Sequence, residues 1–134
     1  EGQVWEGVQT AANFKLDHFI VFVDDNKKQL DGRVSEINKP FDTGEKFRAF
    51  GFHVQRVKGY DVKEIYNGIE KAKAVKDQPS VILLDTIKGL GVSFAEKVEF
   101  NHYMVMNWEM ANEAIAEIEK RYAEGTYPGG DFKW

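Results

Sequence analysis

The chain has 134 residues, enough for one domain, and its apolar and charged fractions of 43% and 30% are those of an ordinary globular protein. A net charge of −4 with no basic stripe argues against nucleic acid, and the absence of cysteine excludes disulfides, thiolate catalysis and thiolate metal sites. No apolar run approaches the roughly 18 residues of a membrane span. With no signal peptide visible, a cytoplasmic setting is the default expectation. The chain opens on Glu1-Gly2 rather than Met and enters a helical pattern at once, which reads as a processed, cleaved or split product.

Val4, Trp5, Val8, Ala11, Ala12 and Phe14 recur at helical spacing and predict a first helix with one broad apolar face. His18 to Asp24 is a short, nearly continuous apolar run rich in β-branched and aromatic residues, the pattern of a parallel strand buried on both faces. Asp24-Asp25-Asn26 ends it, and a polar loop follows to about Lys39. Thr43 is placed to cap a short helix through Phe50, with Gly51 as its stop. Phe52 to Val57 reads as a second strand. Asp61 then caps a helix whose Val62, Ile65, Ile69 and Ala72 share a face, with Glu64 completing a capping box. After Pro79, Ser80 to Ile87 is a third buried strand. A loop with Gly89 and Gly91 leaves it, and a last helix spans roughly Trp108 to Tyr122 before a Gly- and Pro-containing tail.

Strands alternating with helices define an α/β fold with a parallel sheet and right-handed crossovers. Three strands make a thin sheet with open edges, and the first helix has no strand feeding it. An upstream part of the same sheet is therefore expected on another segment.

Ligands of open α/β sheets bind at the carboxyl ends of the strands. Asp24, Asp25, Asn26 and Lys28 follow the first strand; Gly59 and Tyr60 the second; Thr86, Lys88, Gly89 and Gly91 the third, with His102 a loop away. Oxygen ligands, a cation, flexible backbone and an imidazole suit a phosphate held through a hard divalent ion such as magnesium. The same residues have plainer readings. Asp-Asp-Asn is common turn chemistry, one Gly-x-Gly is a weak signal, Glu1 and Glu6 favour a helix dipole, and Trp5, Phe14 and Trp108 fit a core.

Glu1-Gly-Gln-Val-Trp-Glu6, Lys15 to Gly32, Lys46 to His53, Gly59-Tyr-Asp61 and Pro79 to Phe94 together resemble transketolase. The similarity is to the diphosphate-binding domain in the form found in enzymes split into two polypeptides, and it covers about residues 1–102 almost without gaps. The resemblance implies a partial parallel-sheet thiamine-diphosphate-binding domain with flanking helices, completed by another chain, over residues 1–124, and a tail over 125–134. It implies thiamine diphosphate and magnesium, with calcium as the alternative ion. Asn26 matches the Asn that closes the thiamine motif and gives its side-chain oxygen to the metal. Lys28 matches the position that gives a main-chain carbonyl, and Leu30 falls near the thiazolium. Asp24, Ile87 and Lys88 fall on cofactor-facing positions. Glu1 and Glu6 match glutamates of a carboxylate network linking the two active sites of the dimer, and His102 matches a histidine that contacts the diphosphate and handles substrate protons.

The chain also departs from the family pattern. The Gly-Asp-Gly turn, whose Asp is the strongest metal ligand, is not in the sequence. Nor is the pyrimidine-binding domain with its activating glutamate. The family follows the histidine with Gly, whereas Tyr103-Met-Val-Met follows here. The resemblance therefore implies partners: an upstream fragment carrying Gly-Asp-Gly, a pyrimidine-binding chain, and sugar phosphates as substrates, without nucleic acid or membrane. The competing expectations are a piece of another thiamine enzyme, such as deoxyxylulose-phosphate synthase or a dehydrogenase, and a non-catalytic assembly remnant. Glu-Gly-Gln-Val-Trp-Glu and Leu30-Asp-Gly-Arg-Val fit transketolase better.

Overall fold

The computed structural model describes residues 1–126; part of the expected tail, residues 127–134, lies outside the described residues. The elements run α1 (Gly2–Asn13), β1 (Ile20–Asp25), β2 (Lys28–Gln29), β3 (Gly32–Arg33), α2 (Val34–Ile37), α3 (Thr43–Ala49), β4 (His53–Lys58), α4 (Val62–Ala74), β5 (Ser80–Asp85), α5 (Ser93–Lys97) and α6 (Trp108–Ala123). A single 3-10 turn spans Asn101–Tyr103. No described helix is long and apolar enough to cross a membrane. The chain divides into two compact units, one of Glu1–Asp25 with Pro40–Asp85, the other of Asn26–Lys39 with the segment from Thr86 onward.

The first unit is built on a three-stranded sheet in the order β1-β5-β4. Both pairings are parallel, so Asp25, Lys58 and Asp85 end level with one another. Parallel strands need crossover connections, which here pass through helices, as the alternating sequence pattern predicts. β5 is central and the most buried, with Ser80, Val81, Ile82 and Leu83 all at 1% exposure or less. One face of the sheet meets α1 and α3: Val8 and Ala11 cluster with Phe47, Phe52, Val81 and Leu83. Phe47 meets Phe52 edge-on at 5.4 Å between ring centroids, and Trp5 stacks on Phe50 at 5.7 Å. The other face meets α4 through Gly68, where a Cβ would sit 3.4 Å from Val57 and 3.6 Å from Ile82.

Several expectations are corrected. β1 is not buried on both faces, since Phe22 is 47% exposed: α4 lies against β4 and β5, and β1 pairs with β5 alone among the described strands. Asp42, not Thr43, caps α3, its carboxylate accepting from the Glu45 N–H. Asp61 caps α4 as predicted, but Glu64 does not close a capping box; its carboxylate accepts from the Lys58 N–H instead. Val62 is exposed on α4, and burial falls on Gly68 and Ala72. Trp5 is half-buried, but Phe14 and Trp108 are exposed rather than core.

Among its described residues the second unit has little hydrophobic core: the buried apolar ones are Ala95 and Ala114. The stretch read as a polar loop forms the small β2–β3 hairpin and α2. Polar contacts hold the rest. Glu117 on α6 accepts from both the Ser93 backbone N–H and the Ser93 hydroxyl, and Arg121 donates to Ser93 Oγ and Glu117. These bonds to Ser93 hold Glu117 below its ordinary carboxylate pKa, burial opposing and Arg121 adding to the effect.

Candidate functional site

At the carboxyl-terminal end of the sheet the first unit presents acids and one guanidinium. Arg56 sits mid-strand on β4 and reaches across to Asp25, with Nη1 2.7 Å from Oδ2, and to Asp85 at 3.8 Å. The parallel register makes this reach possible, because Asp25 and Asp85 end neighbouring strands at one level. The sequence reading missed Arg56, which nothing in the strand pattern distinguishes from its neighbour cation Lys58. Asp24 is exposed at the end of β1. Glu1 and Glu6 are both exposed on the first turns of α1. At 3.6 residues per turn they lie about 140° apart around the helix, so the helix does not bring them together. Glu1 receives a hydrogen bond from Gln3 and makes no capping bond.

The second unit gathers the other candidates from two distant segments. Asn26 Oδ1 accepts from the Lys28 N–H at 3.0 Å, the turn bond expected of Asn after a strand. Lys28 Nζ donates to the Val98 carbonyl at 2.6 Å, across 70 residues. The ammonium thus serves the fold, and its pKa is lowered first by burial and then by the Arg33 charge, with Lys88 adding to the effect and Glu99 opposing it. Leu30 is 42% exposed at the tip of the β2–β3 hairpin.

Ile87 and Lys88 are half-buried on the turn that leaves β5. Gly89 makes this turn with φ +85°, and a Cβ there would meet the Ala95 carbonyl carbon and oxygen at 3.0 Å. Only glycine fits both the backbone angle and the close approach. The turn brings Lys88 Nζ within 2.7 Å of His102 Nδ1, and the Tyr103 ring stands edge-on to the imidazole at 5.0 Å.

The donors available to a metal here are an amide oxygen and main-chain carbonyls, hard neutral ligands of the kind magnesium accepts. Among the described residues no three His, Asp or Glu side chains are grouped to hold a metal. Such neutral donors would leave further positions of a magnesium shell to phosphate oxygens and other groups.

An open parallel α/β sheet with its polar loops at the strand carboxyl ends belongs to the class that binds ligands at that rim. Residues 1–127 match the family described as transketolase, thiamine diphosphate binding domain. The chain is 46% identical, over 92% of its length, to a 6-deoxy-6-sulfo-D-fructose transketolase subunit of Clostridium sp. (strain MSTE9), of which it covers 45%. It is 33% identical, over 89% of its length, to an apulose-4-phosphate transketolase subunit of Actinobacillus succinogenes, of which it covers 43%. Among solved structures, the transketolase of Campylobacter jejuni superposes with a TM-score of 0.76 at 28% identity, over 99% of this chain and 20% of that one. The chain belongs to the transketolase thiamine diphosphate binding domain family. It spans a little under half the length of the first two of these relatives.

Proposed function

We propose that this chain supplies the Asn26-bearing half of a thiamine-diphosphate-binding domain in a transketolase that moves a two-carbon ketol unit between sugar phosphates, with magnesium, in complex with companion polypeptides. The observation that carries the reading is the Lys28–Val98 bond. It ties the Asn26 turn to the segment that leads to His102, and one unit holds both the turn and the imidazole.

In this reading Asn26 and the Lys28 carbonyl would hold the magnesium, while Leu30, Asp24, Ile87 and Lys88 would line the cofactor. Thiamine diphosphate, when bound, supplies the carbanion chemistry of ketol transfer. His102 would contact the diphosphate or sugar and move a proton there. Glu1 and Glu6 would belong to a carboxylate network with a partner. The reading needs an upstream segment bearing Gly-Asp-Gly and a pyrimidine-binding chain. Among the described strands β1 pairs with β5 alone, beside a half-exposed Phe22, which supports a companion strand there.

The test is reconstitution with companion chains expressed from the neighbouring coding sequence, followed by thiamine diphosphate titration with and without magnesium and a ketol-transfer assay. The substrate panel would include xylulose 5-phosphate and 6-deoxy-6-sulfofructose. Magnesium-dependent cofactor binding with turnover is the expected result. A reconstituted complex that binds no thiamine diphosphate would sink the reading.

A further inference from the structure

His102 is exposed and lies in a single 3-10 turn, so nothing in the packing of a core fixes where its ring points. The neighbouring side chains do. Asn101 is half-buried, and its amide nitrogen donates to the Lys88 carbonyl at 3.1 Å and to the Ala95 carbonyl at 2.8 Å. Both hydrogens of one NH2 group are thereby used, each on a different segment of the loop that leaves β5. The residue before the histidine thus staples the histidine turn to the backbone of Lys88. The ammonium of the same Lys88 then meets His102 Nδ1 at 2.7 Å.

An ammonium has three donors and no acceptor. The imidazole nitrogen facing it must carry a lone pair, which leaves the proton on Nε2. The nitrogen that carries the proton in a neutral histidine is set by the bond its other nitrogen makes.

We infer that Asn101 and Lys88 are positioning residues for His102: the Asn101 amide pins the histidine turn to the Lys88 loop, and the Lys88 ammonium holds the imidazole in the tautomer protonated on Nε2. The other ring nitrogen, Nε2, is then a hydrogen-bond donor. On the proposed function, which this inference deepens, that donor faces an oxygen of an anionic ligand. Asparagine is required at position 101 because aspartate has the same shape and no donor, and would set a carboxylate against two carbonyl oxygens. The Tyr103 ring also stands edge-on to the imidazole.

The test reads the imidazole itself. Long-range proton–nitrogen correlation spectra of the 15N-labelled full chain in its native assembly, at a pH where the histidines are neutral, report the tautomer of each ring. The signals of His102 are identified by their loss in His102→Gln. The wild type should show His102 protonated on Nε2. Lys88→Met should raise the Nδ1-protonated share about tenfold, the factor carried by a hydrogen bond to a charged group, and Asn101→Ala and Asn101→Asp should move it in the same direction. Lys88→Arg, which keeps a donor, should restore most of the wild-type pattern. His53, half-buried on β4, reports in every variant that the sheet is intact. An Nδ1-protonated His102 in the wild type overturns the inference, as does a tautomer unmoved by Lys88→Met. If Asn101→Ala disrupts the loop outright, Asn101→Asp and the two Lys88 variants still decide it. Adding magnesium and thiamine diphosphate separates the two readings: an Nε2 signal that ignores the cofactor while the variants behave as stated refutes the cofactor reading and leaves the positioning intact.

Discussion

Gly89→Ala is the sharpest perturbation of the site that touches no candidate ligand. At φ +85° the left-handed backbone costs an L residue about 1–2 kcal/mol. The new Cβ would also sit 3.0 Å from the carbonyl carbon and oxygen of Ala95 and 3.1 Å from its Cβ, all closer than ordinary van der Waals contact. These are atoms of the backbone or fixed to it, so the loop must shift, and forced overpacking of this kind typically costs about 1–3 kcal/mol. The sum is about 2–5 kcal/mol, concentrated in the turn that sets Lys88 against His102. If cofactor binding must restore the turn, even about 2 kcal/mol weakens affinity roughly thirtyfold. The assay is thiamine diphosphate titration of the reconstituted complex at fixed magnesium, beside urea unfolding of the same protein. Gly7→Ala is the control. It lies within α1, nothing stands within 4 Å of its Cβ position, and it should stabilise by about 0.5–1 kcal/mol. Affinity within twofold of wild type for Gly89→Ala, with an unchanged urea midpoint, would refute the reasoning.

Asn26→Ala should weaken magnesium and thiamine diphosphate together, and Asn26→Asp should do less harm because a carboxylate still offers oxygen to a hard cation; unchanged affinities for both in Asn26→Ala, measured by calorimetry, would leave the loop a turn only. His102→Ala should lower turnover by about a hundredfold to ten-thousandfold, the usual contribution of a positioned acid–base group, and wild-type kinetics in the reconstituted enzyme would contradict the proposed role. Glu117 titrates low because Ser93 hydrogen-bonds its carboxylate. A group depressed in the folded state contributes stability that is present above its unfolded pKa and lost as pH falls through the folded one. The docking of α6 on α5 should therefore weaken on acidification below about pH 4.5, and Glu117→Gln should flatten that part of the stability profile; identical acid limbs in urea melts would count against it. Magnesium with thiamine diphosphate at a hundred times its dissociation constant should stabilise by about 2.7 kcal/mol, with hydrogen-exchange protection gained at Lys28, Gly91 and Ser93; protection gained only in β1, β4 and β5 would point to a different binding place.

The sheet was legible because burial and periodicity act locally. Val81, Ile82 and Leu83 form a run that a parallel strand requires, and they are fully buried on β5. The Asp61 cap was legible for the same reason, as its carboxylate bonds N–H groups two and three residues on. Exposure was not legible. Phe14, Phe22 and Trp108 read as core by side chain alone, yet what covers a side chain is decided by partners in space. Glu64 matches a capping box by spacing, but the Lys58 N–H lies within its reach and takes the carboxylate. In the candidate site, Asn26, Lys88 and His102 carried family signals, and the structure sets Lys88 against His102. Asn101 and Arg56 carried none. Their roles come from bonds to backbone carbonyls and to the end of a neighbouring strand, contacts that no local pattern encodes.

The two units divide the physical work in different ways. The first is held by burial, with aromatic and aliphatic side chains packed between helices and sheet. Among its described residues the second buries little apolar surface beyond Ala95 and Ala114 and is held by directional polar bonds: Lys28 to Val98, Asn101 to Lys88 and Ala95, Gly91 N–H to Glu96, Ser93 to Glu117. A hydrogen bond typically contributes only about 1 kcal/mol net, so such a unit lies toward the low end of local stability, where binding loops are drawn from. Its bonds fix direction more than they supply energy. On the proposed function, that would suit a site that holds one imidazole nitrogen and one amide oxygen at set angles while the ligand supplies the remaining order. An apolar core beneath the same loops would stabilise them further, but methyl groups cannot dictate which nitrogen of His102 bears its proton.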